Sequence, residues 1–448
     1  MNVIDKNYVE AIVETNEIQK VLELFENENI VDIALTLESI DSDKFVYLFD
    51  ELDNQLLASL FVYFTYDKQY DLIQKMDKTA IVKLFESLYL DDIVYLLEQR
   101  ALSEREDVLD NLSEDKRKLI ENMLSYPVDS AGSIMSTHFM EIGAYNSVKE
   151  ALELIKINGA SAESIDFCFA LDLNKELLGI ISIEDILYSS DDTLIEEIMD
   201  DDVIKVYDHS DREEVAKMVS KYDINLLPVV NRNNKMLGII TADDVIDIIE
   251  QEATEDIQKM SAVRPLETSY IGASVMQSAF SRLPWLLILL VAYSISSFIL
   301  SANDNLIHLY PVLIIFIPML MDTTGDAGSQ ALAMVVRAIA TDDLSIKDIG
   351  KVLSKEIKIA LLSGFILFIV NMLRVYFLSS SAGNLELALT VSLTLFIVIV
   401  IAKFIGGALP FVALLFKQDP ASMASPLITT LCDSITLLIY FGLASMLL

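Results

Sequence analysis

Histidine and cysteine are scarce, with three and two in 448 residues. His138, His209 and His308 are scattered, which argues against a zinc-type ligand cluster. Cys168 and Cys432 stand too far apart in context to suggest a disulfide framework. There is no GxxxxGK[ST] loop, no GxSxG and no His-rich metal motif. The chain therefore reads as no enzyme and no ATP-driven pump. Basic residues are few, 32 Lys+Arg against 68 Asp+Glu, for a net charge of −36. Such a balance argues against nucleic acid and against docking on anionic lipid. The N-terminus, MNVIDKNYVEAIVE, lacks a basic start and an apolar run, so the front half is expected to stay in the cytosol.

The charge is unevenly placed. From Arg282 onward there are 9 Lys+Arg against 10 Asp+Glu, so nearly all the negative charge falls on residues 1–281. The last third is close to neutral and very apolar. The chain thus divides into an acidic, solvated part that could collect cations and a membrane part.

Glycine is absent before Gly132 and proline before Pro127. Residues 1–125 read as successive helices, with apolar residues at spacings of three and four, as in Leu56, Leu57, Leu60, Phe61 and in Ile93, Leu96, Leu97. Polar breaks at Ser39–Asp43, Tyr66–Gln69 and Ser103–Asp107 suggest a helical superhelix of stacked hairpins. Over 126–250 an internal repeat is clear: LLGIISIEDIL from Leu177 matches MLGIITADDVI from Met236, with the two glycines 59 residues apart. Each copy has a strand (Phe167–Leu171, Leu227–Val230), a polar turn and a second strand. Each then has a helix opening on acids and begins with an Ile-Met pair, Ile134-Met135 or Ile198-Met199. This resembles a tandem cystathionine-β-synthase (CBS) pair. Such pairs often bind adenine nucleotides and often dimerise, though no residue here carries the nucleotide expectation by itself. Acids and apolar residues interleave from Asp243 to Pro265, as in a long helix leading to the membrane, and 251–281 is expected to be that connecting helix.

Apolar segments follow within 282–448: Leu283–Leu300, Leu309–Val336, Ile357–Leu378, Leu387–Leu415 and Leu427–Leu448. Each is long enough to cross about 30 Å of hydrocarbon. Lys347, Lys351, Lys355 and Lys358 follow the second segment, whereas Ser301–His308 and Ser379–Glu386 lack Lys and Arg. The bias places the N-terminus inside and the C-terminus outside. The second segment holds PMLMDTTGDAGSQ, from Pro318 to Gln330, with Asp322, Asp326, Gly325 and Gly328. A carboxylate near the bilayer centre costs ~2.5–3.5 kcal/mol or more, and glycine and proline free carbonyls that must face protein or water. The stretch is expected to break its helix and to line something wet. Asp433 is a further ionisable residue, within the fifth segment. Acids without thiolates or imidazoles select a hard cation such as Mg²⁺, Ca²⁺ or Mn²⁺. Lys403, mid-span in the fourth segment, snorkels or pairs with an acid.

The whole chain resembles the MgtE magnesium transporters. The matching residues are Tyr126, Pro127, Asp129–Gly132, then Glu252–Asp256 with Ile257, Lys259 and Met260, then Arg282–Leu286. Within the membrane part they are Pro318, Gly325, Gly328, Gln330, Arg337, Ala338, Ala340, Thr341, Asp419–Ala421, Pro426, Thr429, Thr430 and Asp433. The resemblance implies a superhelical N-domain, a CBS pair, a connecting helix and a five-helix pore formed by a homodimer. It implies a passive Mg²⁺ path lined by Pro318, Gly325, Gly328, Gln330, Thr429 and Thr430, with Asp433 binding hydrated Mg²⁺. It also implies regulatory Mg²⁺ held with the help of Asp243, Asp244, Asp247, Glu255 and Asp256. The chain departs from the family at Thr324 and Asp326, where Gly and Asn are usual, and at Ser425 in place of a common Asn. The alternatives are a transporter of the same build preferring Mn²⁺ or Co²⁺, and a membrane-anchored metal or nucleotide sensor that transports nothing.

Overall fold

The computed structural model describes all residues except 1–5, 16, 99–104, 107–108, 110–111, 267–269, 271–272, 379–383 and 424. Most of the break expected at Ser103–Asp107, whose residues 105–106 are helical, and most of the outer loop Ser379–Glu386 lie outside the described residues. The chain forms two units, Met1–Glu250 and Gln251–Leu448.

The first unit begins with short helices: α1 (Lys6–Glu14), α2 (Ile18–Asn27), α3 (Ile30–Glu38), α4 (Asn54–Val62), α5 (Tyr66–Lys75), α6 (Lys78–Ser87), α7 (Leu90–Glu98) and α8 (Glu114–Met123). They are single helices of nine or ten residues. Asn29, Asp53 and Asp77 cap α3, α4 and α6, accepting hydrogen bonds from the first-turn amides. Helices this short are marginal alone; their apolar faces meet in one core that includes Phe45, Phe49, Phe61 and Phe85.

Two three-stranded sheets follow, each built to the same plan. β1 (Glu141–Gly143) runs parallel to β2 (Phe167–Leu171), which pairs antiparallel with β3 (Leu177–Ser182). The second sheet repeats this with β4 (Val206–Tyr207), β5 (Leu226–Val230) and β6 (Met236–Thr241). The helices are α9 (Val148–Asn158), α10 (Ile183–Tyr188), α11 (Arg212–Tyr222) and α12 (Ala242–Met260). The strand–turn–strand–helix expected of each copy is thus present. The two repeat glycines have a packing reason. A Cβ at Gly179 would stand 2.6 Å from Met199 Sδ, and one at Gly238 would stand 2.5 Å from the Ser136 carbonyl. Each Ile-Met pair therefore crosses the last strand of the other copy: Ser136 bridges to Ile239, and Asp200 to Ile180.

The second unit holds α13 (Val275–Ala302), α14 (Leu313–Ala340), α15 (Ile349–Leu378), α16 (Leu385–Leu415) and α17 (Ser425–Leu447). Two expectations need correcting. Residues 251–281 are not one connecting helix. α12 ends at Met260, Ala262 turns with φ 58°, and the next helix starts at Val275. Nor is the second apolar segment broken, since α14 runs unbroken through Pro318, Gly325 and Gly328. Proline costs one backbone hydrogen bond near the start of the helix, and neighbouring membrane helices tolerate that.

Among the described residues four helices are long and apolar enough to cross a membrane: α13, α15 with the turn preceding it, α16 and α17. α14 has the length, 28 residues or about 42 Å at 1.5 Å per residue, but Asp322 and Asp326 lower its apolarity. α14, α16 and α17 pack together, and α15 lies along α16. α14 and α16 approach closely at glycines: a Cβ at Gly406 would fall 2.2 Å from the Gly328 carbonyl, the small-residue contact expected between membrane helices. Lys403 is buried on α16, one turn before Gly407, against which Glu356 of α15 packs.

Candidate functional site

The polar residues of α14 divide by face. Pro318, Asp322, Asp326 and Gln330 stand four residues apart and are all exposed, while Thr324, Gly325, Ala327 and Gly328 between them are buried. Residues at i and i+4 share one side of a helix, so two carboxylates, an amide and a proline form one open stripe. Gly325 and Gly328 face inward: a Cβ at the first would meet Thr429 Cγ2 at 2.8 Å, and at the second Ile428 Cγ2 at 2.7 Å. In a single chain they permit close helix packing rather than line the open face. The Thr324 hydroxyl is spent on the Leu320 carbonyl at 2.6 Å.

α17 supplies the third carboxylate. Asp433 is only 3% exposed, and among the described residues its Oδ1 has no hydrogen-bond partner; nor does Thr436 Oγ1, one turn on. The Gly325–Thr429 and Ser329–Ser425 contacts set Asp433 near the level of Asp322 along the two antiparallel helices. Thr429 and Thr430 return their hydroxyls to the carbonyls of Ser425 (3.2 Å) and Pro426 (2.9 Å), leaving hydroxyl lone pairs free to accept. Ser425 bonds Ser329 at 2.6 Å and so ties α17 to α14. A buried carboxylate oxygen with nothing to accept from is what a cation or its water would satisfy.

A second acidic site lies within the first unit. Ligand oxygens of Asp91, Glu163 and Asp244 all lie within 4.8 Å of one another. Asp91 opens the first turn of α7, Glu163 sits in the loop before β2, and Asp244 is in the first turn of α12. Asp91 Oδ1 and Glu163 Oε2 are buried without partners. Burial, then the charges of Asp92 and Glu163, push the Asp91 carboxyl well above its usual range. Burial and the charges of Asp244 and Glu163 push Asp92 up to about 7. Glu163 and Asp244 are raised as well, chiefly by burial. Three crowded carboxylates with no paired cation among the described residues suit a hard divalent ion such as Mg²⁺ or Ca²⁺.

Of the acids singled out in the sequence, only Asp244 joins that group. Asp243 and Asp247 stand exposed on α12, and Glu255 and Asp256 are half-buried farther along it. Glu255 is bound to Lys259 at 2.5 Å, and Lys259 also holds Asp419 at 2.7 Å. Sequence reasoning missed Asp91, Asp92 and Glu163. The Asp91-Asp92 pair in LYLDDIVYLL looks like an ordinary helix start, and only folding brings Glu163 to it.

The chain matches the MgtE family, described as a divalent cation transporter, over 317–443, the MgtE intracellular N domain over 28–129 and the CBS domain over 131–192 and 195–251. It is 30% identical to the magnesium transporter MgtE of Bacillus subtilis over 440 residues, 96% of each chain. The chain belongs to the MgtE magnesium transporter family. The magnesium transporter MgtE of Thermus thermophilus is 33% identical over 76% of this chain and 74% of that one. The crystal structure of the soluble part of a magnesium transporter superposes with a TM-score of 0.52 at 30% identity, covering 55% of this chain and 98% of the other. CBS domains, the N-terminal MgtE domain and a C-terminal region of apolar helices are thus common ground with the family.

Proposed function

We propose that the chain is a passive, gradient-driven Mg²⁺ transporter or channel of the cell membrane. In this reading it crosses the membrane five times, with the N-terminus cytoplasmic and the C-terminus outside, and it works as a homodimer. The observation that carries the reading is the open stripe of Pro318, Asp322, Asp326 and Gln330 beside the buried, unpartnered Asp433 carboxylate. Turned to lipid, the stripe would be costly; turned to a second copy, it walls a wet path. Mg²⁺ keeps several waters and takes one or two carboxylates, so Asp433 would hold it through water. A divalent cation moving inward gains about 4.6 kcal/mol per 100 mV, and no ATP is needed.

Gating would come from cytosolic Mg²⁺. The Asp91–Glu163–Asp244 group binds the ion between helical N-domain and CBS pair, and the acids of α12, with Asp243 and Asp247 exposed, add further contacts. α12 follows the second CBS copy and precedes the membrane helices in the chain, so it carries the signal. When Mg²⁺ is scarce the acidic parts repel and loosen; when it is plentiful they draw together and the path closes. An adenine nucleotide at the CBS pair is supported by the fold alone. The test is Mg²⁺ flux into proteoliposomes with and without Asp433→Ala: flux is lost if the reading holds, and equal flux removes the role assigned to Asp433.

A further inference from the structure

Contacts between α14 and α17 order the levels along the proposed path. The Tyr440 hydroxyl donates to the Leu313 carbonyl, Gly325 packs on Thr429, and Ser425 donates to Ser329, so on these antiparallel helices Asp433, four residues past Thr429, falls near the level of Asp322. On the proposed topology that series runs from the outer side to the cytosol. Asp326 lies on the exposed face four residues past Asp322, about 6 Å farther along the axis. Neither of the two acids is in an ion pair among the described residues. The buried, unpartnered oxygen of Asp433 is the independent sign that a cation belongs beside this face.

We propose that Asp326 is a second cation station, one helical turn to the cytosolic side of the Asp322–Asp433 level, and that its charge sets how the path ranks divalent ions. This rests on the reading of α14 as a wall of the path. Mg²⁺ sheds water reluctantly, so a carboxylate reaches it mostly through its hydration shell, whereas Mn²⁺ and Ca²⁺ accept carboxylate oxygens directly more readily. A carboxylate in this place, where an amide would have the same shape, helps the more easily dehydrated ions most. It also slows release, because conduction needs binding weak enough to leave.

The experiment is Mg²⁺ uptake into proteoliposomes by the full-length parent and by Asp326→Asn, with and without Mn²⁺ as competitor. In Asp326→Asn the Mg²⁺ concentration for half-maximal uptake rises about tenfold, as expected for a unit charge removed some 6 Å from a divalent ion in water-like surroundings. Mn²⁺ also inhibits the variant less than the parent. Asp326→Glu, which keeps the charge, keeps the parent's inhibition by Mn²⁺. Unchanged half-maximal concentration and unchanged Mn²⁺ inhibition in Asp326→Asn overturn the proposal, as does a Glu variant that behaves like the Asn one. Should the Asn variant fail to assemble, Asp326→Ser is judged by the same two readings. Asp433→Ala measured alongside separates the failures: parental flux there removes the path itself, whatever Asp326 does.

Discussion

The two acidic groups of this chain differ in how far one chain completes them. The Asp91–Glu163–Asp244 group is enclosed by its own unit: its oxygens are crowded, partly orphaned and pushed to high pKa by burial. The α14 stripe is open. Asp322 and Asp326 are exposed on a helix of membrane length, and only Asp433 is buried. Crowded, half-buried carboxylates bind protons or a metal tightly and suit a sensor. Open carboxylates along a helix need another surface to enclose them, and loose, serial contacts suit passage. The difference is one of fold: tertiary packing builds the first site, and a second copy would complete the other.

The largest effect should come from the helix contact on which the stripe depends. Gly406→Leu forces a side chain into the Gly328 backbone, and overpacking of this kind costs about 1–3 kcal/mol or more. The expected outcome is loss of a monodisperse, heat-resistant peak in detergent size exclusion. An unaffected melting profile would mean that α14 and α16 do not meet there, and the stripe would lose its orientation.

Next, Glu163→Gln removes one of three ligands from the enclosed group. Protection of the chain from limited proteolysis by Mg²⁺ should then need severalfold more of the ion. Asp326→Asn should leave that protection unchanged, which keeps the two groups distinct.

The enclosed group also predicts a dependence on pH without metal. Its carboxylates and the neighbouring Asp92 have raised pKa when folded, Asp92 to about 7, so between about pH 4 and 7 these groups hold more protons in the folded state than in the unfolded. Their contribution to stability is then fullest below about pH 4 and is lost as pH rises through about 7. In EDTA the full-length protein should melt lower at pH 7.5 than at pH 5.5, and Mg²⁺ should narrow the gap. A metal-free melting temperature that rises with pH over this range would contradict the crowding.

The smallest effect is expected at Lys259→Met, which frees Asp419 and Glu255 from one cation. Half-buried pairs still in touch with solvent contribute about 1 kcal/mol, so the melting temperature should drop by only a few degrees.

The CBS copies were legible in the sequence because glycine marks them at fixed spacing, and the crossing Met135 and Met199 explain why nothing larger fits. The continuity of α14 was not legible. Proline and glycine read as breakers, yet Pro318 sits near the helix start, and Gly325 and Gly328 serve close packing. The turn after Met260 was hidden as well, since EDIQKMSAVRP carries its helical pattern up to the residue where Ala262 adopts positive φ. Asp322, Asp326 and Asp433 stood out because a carboxylate is costly in hydrocarbon. Asp91 and Glu163 did not, because acids are ordinary on solvated helices and loops, and only long-range packing makes theirs unusual.

The comparison is tested most directly by measuring Mg²⁺ uptake by Asp433→Asn and Asp91→Asn in proteoliposomes, with Mg²⁺ low or high on the cytosolic side. The account predicts that Asp433→Asn loses uptake under both conditions, whereas Asp91→Asn takes up Mg²⁺ and escapes inhibition by cytosolic Mg²⁺. Uptake that survives in Asp433→Asn, or inhibition that persists undiminished in Asp91→Asn, would contradict it.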